Sequence, residues 1–216
     1  MFYDVTKKEL FYSDIFYKEV EFTDENQETH QGVDTYFLNN CNDEILKSLK
    51  VARVVESDPI KSDDKYKEVI RNERYEESSN TYHIDYELRD VGLESAKAIK
   101  LNELAEIKSE KLASFEFKGN IFQLDGDSKV NINGKISQIL LSAQAGIPIE
   151  NINWINKDNN IVRFSKDEFI AFGNAAANHS EMVLFKHDEL RTRVNSASSI
   201  DEIKGIEWTE SSPANR

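Results

Sequence analysis

At residue 92 the hydrophobic pattern of this chain switches from a period of two to helical spacing, and that switch limits the folds open to it. Before it, Tyr82, Ile84, Tyr86 and Leu88 alternate with His83, Asp85 and Glu87, which places the apolar set on one face of a sheet. After it, Leu93 to Ala113 holds neither proline nor glycine and is dominated by good helix formers. Ala98, Leu101, Ala105 and Leu112 share one face of that helix, opposite Glu94, Glu103, Glu106 and Glu110. A stripe this narrow buries little alone and calls for a partner helix.

Residues 1–90 read as a β-rich domain. Phe2, Tyr3, Val5, Phe11, Tyr12, Phe16, Tyr17, Val20 and Phe22 form short aromatic and β-branched runs. Val51 to Val55 is a clearer strand, halted by Asp58-Pro59 because proline cannot donate to a ladder. Lys61 to Lys65 is a polar loop, and Ser78-Ser79-Asn80 is a hairpin turn. Residues 91–114 then form a connecting helix.

Residues 115–208 predict a hairpin-plus-helices domain. Gly119-Asn120 marks the hairpin turn, where positive φ is cheap. Asp125 to Ser128 offers N-caps for a helix carrying Ile132, Ile136, Ile139 and Leu140, which Gly146 and Pro148 end. Asn153-Trp154-Ile155 and Ile161 to Phe164 read as strands around Lys157 to Asn160. Ser165, with Glu168 in capping-box position, starts a long helix. Its inner stripe is Phe169, Phe172, Ala176, His179, Val183, Leu190 and Val194. Residues 209–216 are expected to be a flexible tail. The fold class is therefore α+β.

Composition narrows the function. Forty Asp and Glu against 27 Lys and Arg leave a formal charge of −13, which repels a phosphate backbone and argues against nucleic acid as a partner. The first residues lack the apolar core of a signal peptide, and no stretch approaches the roughly 20 apolar residues that span a bilayer. A single cysteine, Cys41, rules out an intrachain disulfide.

Fragments that suggest chemistry are each incomplete. Asp125-Gly-Asp127-Ser128 resembles the start of a calcium loop, but the twelfth position, where a bidentate Glu belongs, holds Ile136. His179 and His187 are eight apart, where four apart would suit one metal. His179 is read instead as packing or hydrogen-bonding at the edge of the core. Cys41 has no companion base in the sequence. The eight glycines form no phosphate-binding pattern. No catalytic residue, metal or cofactor is assigned. The aromatic N-terminal strands could stack on sugar, but a small β-core is the preferred reading.

An ordered series of features from about Lys108 to Trp208 resembles the α+β domain at the end of many bacteriophage tail-fibre and tail-fibre-assembly proteins. It comprises a Glu/Lys/Ala helix, Phe117-Lys-Gly119-Asn-Ile-Phe122, Asp125 to Ser128, Trp154 and Asn159 to Glu168. Ala175-Ala-Ala-Asn-His179, Leu184-Phe185 and Ile200 to Trp208 complete it. The strand Leu49 to Pro59 and the strand from Asn80 to Leu88 are similar to what often precedes that domain. The turn at Lys118-Gly-Asn departs from the usual Asp-Gly, and the first forty residues lie outside the resemblance.

The resemblance implies a non-enzymatic tail component acting by protein–protein contact. It would be a tail-fibre assembly chaperone or a permanent fibre or baseplate part, with an enzyme acting on host glycan ranked third. Expected partners are tail-fibre or baseplate proteins, with a homo-oligomer left open and no nucleic acid or membrane. The expected location is the host cytoplasm during assembly, or the virion tail. No catalytic residues come with the resemblance. Phe122, Asp125, Trp154, Phe169, Phe172, His179, Trp208, Leu101 and Leu112 are therefore assigned structural or interaction roles. Trp154 and Trp208 are expected to pack between the hairpin and the last helix.

Overall fold

The computed structural model describes residues 1–209, which fall into two compact units, Met1–Val91 and a second beginning at Gly92. The chain is α+β, with strands dominating the first unit and helices the second. No helix among the described residues is long and apolar enough to cross a membrane. Of the tail expected at 209–216, all but Thr209 lies outside the described residues.

In the first unit β1 (Phe2–Asp4), β2 (Glu9–Phe11), β5 (Val51–Glu56), β6 (Lys67–Glu76) and β7 (Thr81–Asp90) form one sheet, ordered β2-β1-β5-β7-β6. Neighbours run antiparallel except β5 and β7, which are parallel. Alternation along β1 sends Phe2 and Tyr3 to opposite faces. Phe2 joins Leu38, Cys41, Leu46, Leu49 and Val51, with Leu46 supplied by the short helix α1 (Asp43–Ser48). Asn42 caps α1, its side chain accepting from the Ile45 N–H at 2.9 Å. Arg53 ties the preceding turn to the sheet by donating Nη2–H to the Cys41 carbonyl at 2.6 Å.

Tyr3 joins Ala52, Tyr82 and Ile84 on the other face, stacked on the Tyr82 ring at 3.9 Å. Farther along β7, Tyr86 donates its hydroxyl to Glu56 at 2.6 Å, while Leu88 of the expected apolar set is exposed. The turn between β6 and β7 ends at Asn80, whose φ is 50°. Asn80 is buried, and its amide donates to the Val51 carbonyl at 2.9 Å. The remaining strands, β3 (Ile15–Thr23) and β4 (Thr29–Phe37), pair with each other as a separate two-stranded hairpin.

The second unit opens with α2 (Leu93–Ala113), the helix read from the sequence as a connector. Its packing makes it part of this unit, because Leu104 is buried with Leu190, Val194 and Ile206. Its inner face is Ala96, Lys100 and Leu104 rather than the expected stripe; Ala98 is exposed and Leu101 and Leu112 are half-buried. Lys100 is buried as a whole, with its ammonium 3.3 Å from Glu103 Oε1, a partner that a buried charge requires.

Two small hairpins follow. In the first, β8 (Ser114–Phe117) pairs with β9 (Asn120–Gln123). The turn residues are Lys118 (φ 49°) and Gly119 (φ 73°), one position earlier than expected. Two consecutive positive φ values give the twist that a two-residue hairpin needs. The second hairpin joins β10 (Ile152–Ile155) to β11 (Ile161–Phe164). The two are cross-linked: the Lys157 N–H donates to the Ile121 carbonyl at 2.8 Å, and the Asn156 amide to Asn120 Oδ1 at 3.1 Å.

Between the hairpins runs α3 (Gly126–Gln144), capped by Asp125, whose carboxylate accepts from the Ser128 N–H at 2.7 Å. Its end is a Schellman closure, with Gly146 at φ +70° and the Ile147 N–H donated to the Ser142 carbonyl at 2.9 Å. Helix α4 (Lys166–Ser196) is 31 residues long, about 46 Å at 1.5 Å per residue. Its capping box is present in full, Ser165 and Glu168 each serving the other's backbone N–H. The short α5 (Ile200–Lys204) is capped by Ser199 and buries Ile203.

The core of this unit is aromatic. Phe172 lies at its centre, with the rings of Phe115, Phe117, Phe122, Phe164, Phe169 and Trp154 at centroid distances of 4.7 to 6.2 Å. Helix α3 closes over it, with Ile136 directly against Gly173 of α4.

Candidate functional site

The face of α4 beside its buried stripe is not uniformly polar. Met182 and Phe185, three residues apart on one flank, are 67% and 68% exposed. They line a groove of about 500 Å³ with Lys111 from the last turn of α2, His179, Val183, Lys186, Glu189, Trp208 and Thr209. Each element positions its part for a local reason. Packing of Leu104 on Leu190 and Val194 lays α2 along α4, and α5 turns the chain so that Ile206 and Trp208 close the same cluster.

His179 fixes one end of the groove. Its ring nitrogen Nε2 lies 2.8 Å from the Lys111 carbonyl; since a carbonyl can only accept, Nε2 carries the proton. That bond satisfies one of the open carbonyls at the C-terminus of α2, and the ring also packs against Phe115 at 5.9 Å. Lys186 pairs with Glu189 at 3.1 Å on the rim. Farther along, His187 is half-buried; burial first, then the nearby Lys108 ammonium, hold its pKa below the usual histidine value. The chemistry on offer is an apolar floor with paired charges at its edge, suited to receiving side chains from another surface.

The residues singled out from the sequence separate into three groups. Phe122, Phe169 and Phe172 are fully buried in the aromatic core, and Trp154, half-buried on β10, meets Phe169 edge-on at 5.1 Å. Asp125 is a helix cap; its carboxyl is held below the ordinary range chiefly by the Ser128 backbone N–H. His179 and Trp208 come together in the groove, and Leu101 packs on the cluster beneath Trp208. Trp208 therefore packs against α2 and the end of α4, not against the hairpin. Sequence reasoning missed Met182 as a lining residue and took Phe185 only as part of a pattern. The signal was an apolar pair at i and i+3, out of phase with the inner stripe.

Cys41 is buried, with its thiol 3.4 Å from the Phe37 carbonyl. At the tip of the β3–β4 hairpin, Asp24, Glu28 and His30 bring one ligand atom each within 4.8 Å of one another. Asp24 there accepts from the N–H groups of Asn26 and Glu28 and sits 3.1 Å from His30 Nε2. The turn's own hydrogen bonds account for this grouping.

The chain is thus α+β, and its second unit carries an open, largely apolar groove. The chain belongs to the family described as a domain of unknown function (DUF4376), whose model matches residues 95–209, just over half of its length. The match begins inside α2 and ends at Thr209, so it includes every groove residue. No curated protein and no solved structure matches the chain.

Proposed function

We propose that this protein acts by protein–protein contact in bacteriophage tail-fibre assembly or attachment, with the α4 groove as a contact surface. The observation carrying the contact reading is the exposure of Met182 and Phe185 beside Trp208, inside the family domain. Large apolar side chains left in water beside an aromatic ring are the usual anatomy of a recognition patch. The tail context comes from the ordered series of features in residues 108–208 and from an acidic surface that keeps the free protein soluble until a specific partner is met. A chaperone would bind an unassembled fibre or baseplate protein in the host cytoplasm; a permanent component would stay on it in the virion tail.

Two measurements test this. Coexpression with the neighbouring tail-fibre gene product should give a complex that Met182→Ser with Phe185→Ser weakens by about tenfold or more, as loss of an anchoring pair does. Equal binding by wild type and double variant would remove the groove from the interface. Mass spectrometry of purified particles then separates the roles: stoichiometric copies identify a virion part, and abundance in the lysate without copies in the particle identifies a chaperone. Release of host glycan by the pure protein would overturn the contact reading.

A further inference from the structure

We propose that the β3–β4 hairpin is a docking arm for an extended, positively charged segment of another protein. The inference rests on the contact reading above and adds a second surface with its own partner chemistry. The two strands pair over nine positions, from Ile15↔Phe37 to Thr23↔Thr29, and neither pairs with any other strand among the described residues. Beyond the root, where the Ser13 hydroxyl bonds the Ile15 backbone and the Cys41 thiol the Phe37 carbonyl, both outer edges offer backbone donors and acceptors that no other strand among the described residues takes up. An isolated two-stranded hairpin is marginal in water, and the charges that guard this one against non-specific pairing are nearly all of one sign: Ile15–Phe37 holds no proline and a single lysine, Lys18, among its carboxylates.

The two faces of the arm differ. On one, Phe16 and Tyr36 pack onto the core of the first unit, and Phe22 lies over Gly32, where an added Cβ would come 3.0 Å from the ring. The other face carries Ile15, Tyr17, Val33 and Phe37, the last three 65%, 60% and 54% exposed. Toward the tip the same face continues with Glu19, opposite Val33, and Glu21. The surface is thus apolar at its root and anionic farther out.

Charge decides the occupant. Glu19, Glu21, Asp24, Glu25, Glu28 and Asp34 face Lys18 alone within the arm. A second copy would set carboxylate against carboxylate, and like charges directly opposite are destabilising. A strand with apolar residues at alternate positions and Lys or Arg near Glu19 and Glu21 satisfies the open edge, the apolar root and the carboxylates together.

The test uses the full chain and a labelled peptide alternating lysine and valine, followed by fluorescence anisotropy. Two controls are a peptide of the same composition with its lysines and valines in separate blocks, and an alternating glutamate–valine peptide. The alternating lysine peptide should bind, and both controls should bind at least about tenfold more weakly. Tyr17→Thr with Val33→Thr, and separately Glu19→Gln with Glu21→Gln, should each weaken it by about tenfold as well. Equal binding of the block peptide, or no loss in the apolar variant, overturns the proposal by reducing it to diffuse charge attraction. Self-association of the pure chain that disappears in the Tyr17/Val33 variant overturns it in favour of a second copy. If a variant alters the melting curve, the comparison of peptides on the wild-type chain still decides. The peptide result does not depend on particle composition, so failure here and failure of the tail reading are separate observations.

Discussion

Replacing Phe172 with alanine should cost the second unit about 4 kcal/mol. The ring is fully buried, and removing it forfeits about 1.5–3 kcal/mol of apolar burial. The void would be bounded by six aromatic rings carried on β8, β9, β10, β11 and α4. Those strands are cross-linked by the Lys157–Ile121 and Asn156–Asn120 hydrogen bonds, so the walls cannot collapse freely, and the total belongs with the roughly 3–5 kcal/mol found when such sites stay open. At roughly 3–5 °C per kcal/mol for a unit of this size, the melting midpoint falls by about 12–20 °C.

The chain supplies its own probe for that change. Both tryptophans, Trp154 and Trp208, lie in the second unit, and all eight tyrosines lie in the first. Tryptophan fluorescence during urea unfolding therefore reports on the mutated unit. A loss below about 1 kcal/mol would show that the rings close over the gap, and the account of Phe172 as the centre of a rigid cluster would be wrong.

Further outcomes follow from the same structure. Gly173→Ala gains about 1 kcal/mol of helix propensity, but its Cβ would overlap Ile136 Cδ1, which must move to admit it. Net destabilisation in urea is expected, and Ile136→Val should reverse it; a more stable single variant would show that Ile136 turns aside without strain. Ser165→Ala breaks the capping box and should cost about 1 kcal/mol by thermal melting. Glu168, held at about 2 chiefly by its hydrogen bond from Lys118, is depressed in the folded state. Its contribution is complete above the unfolded value near 4.5 and lost as pH falls through about 2, so Glu168→Gln should flatten the acid limb of a stability–pH curve. His187 is also depressed but is a base: the unfolded chain takes up the proton first, and stability falls as pH drops below about 6.5. A His187→Gln variant should lose that part of the slope.

Local features were legible in the sequence where a short-range cause suffices. The alternation of Tyr82, Ile84 and Tyr86, the caps at Asp125 and Ser165, and the stop at Gly146 all depend on neighbours within a few residues. The hairpin turn was misplaced by one position because Lys118, not Asn120, takes positive φ, and strand register, more than residue type, made that choice. Helix α1 was missed although Asn42-Asp43-Glu44 is a usable N-terminal signal.

The amino-acid order alone determined that residues near 92 separate strand from helix, where each long helix begins and where α2 and α3 end, and that Phe169 and Phe172 face inward. Those are matters of backbone propensity, capping and period, all set within a few residues along the chain. Only the tertiary structure decided that α2 turns Ala96, Lys100 and Leu104 inward, since its own apolar residues are too evenly spread to choose a face and packing against α4 and the segment ending at Ile206 chose it. It likewise decided that Trp208 meets Leu190 and Val194, that Met182 and Phe185 stay in water, and that β3–β4 stands outside the sheet. Such outcomes depend on which distant segment arrives to bury a surface, and the pattern of a single segment does not encode its partner.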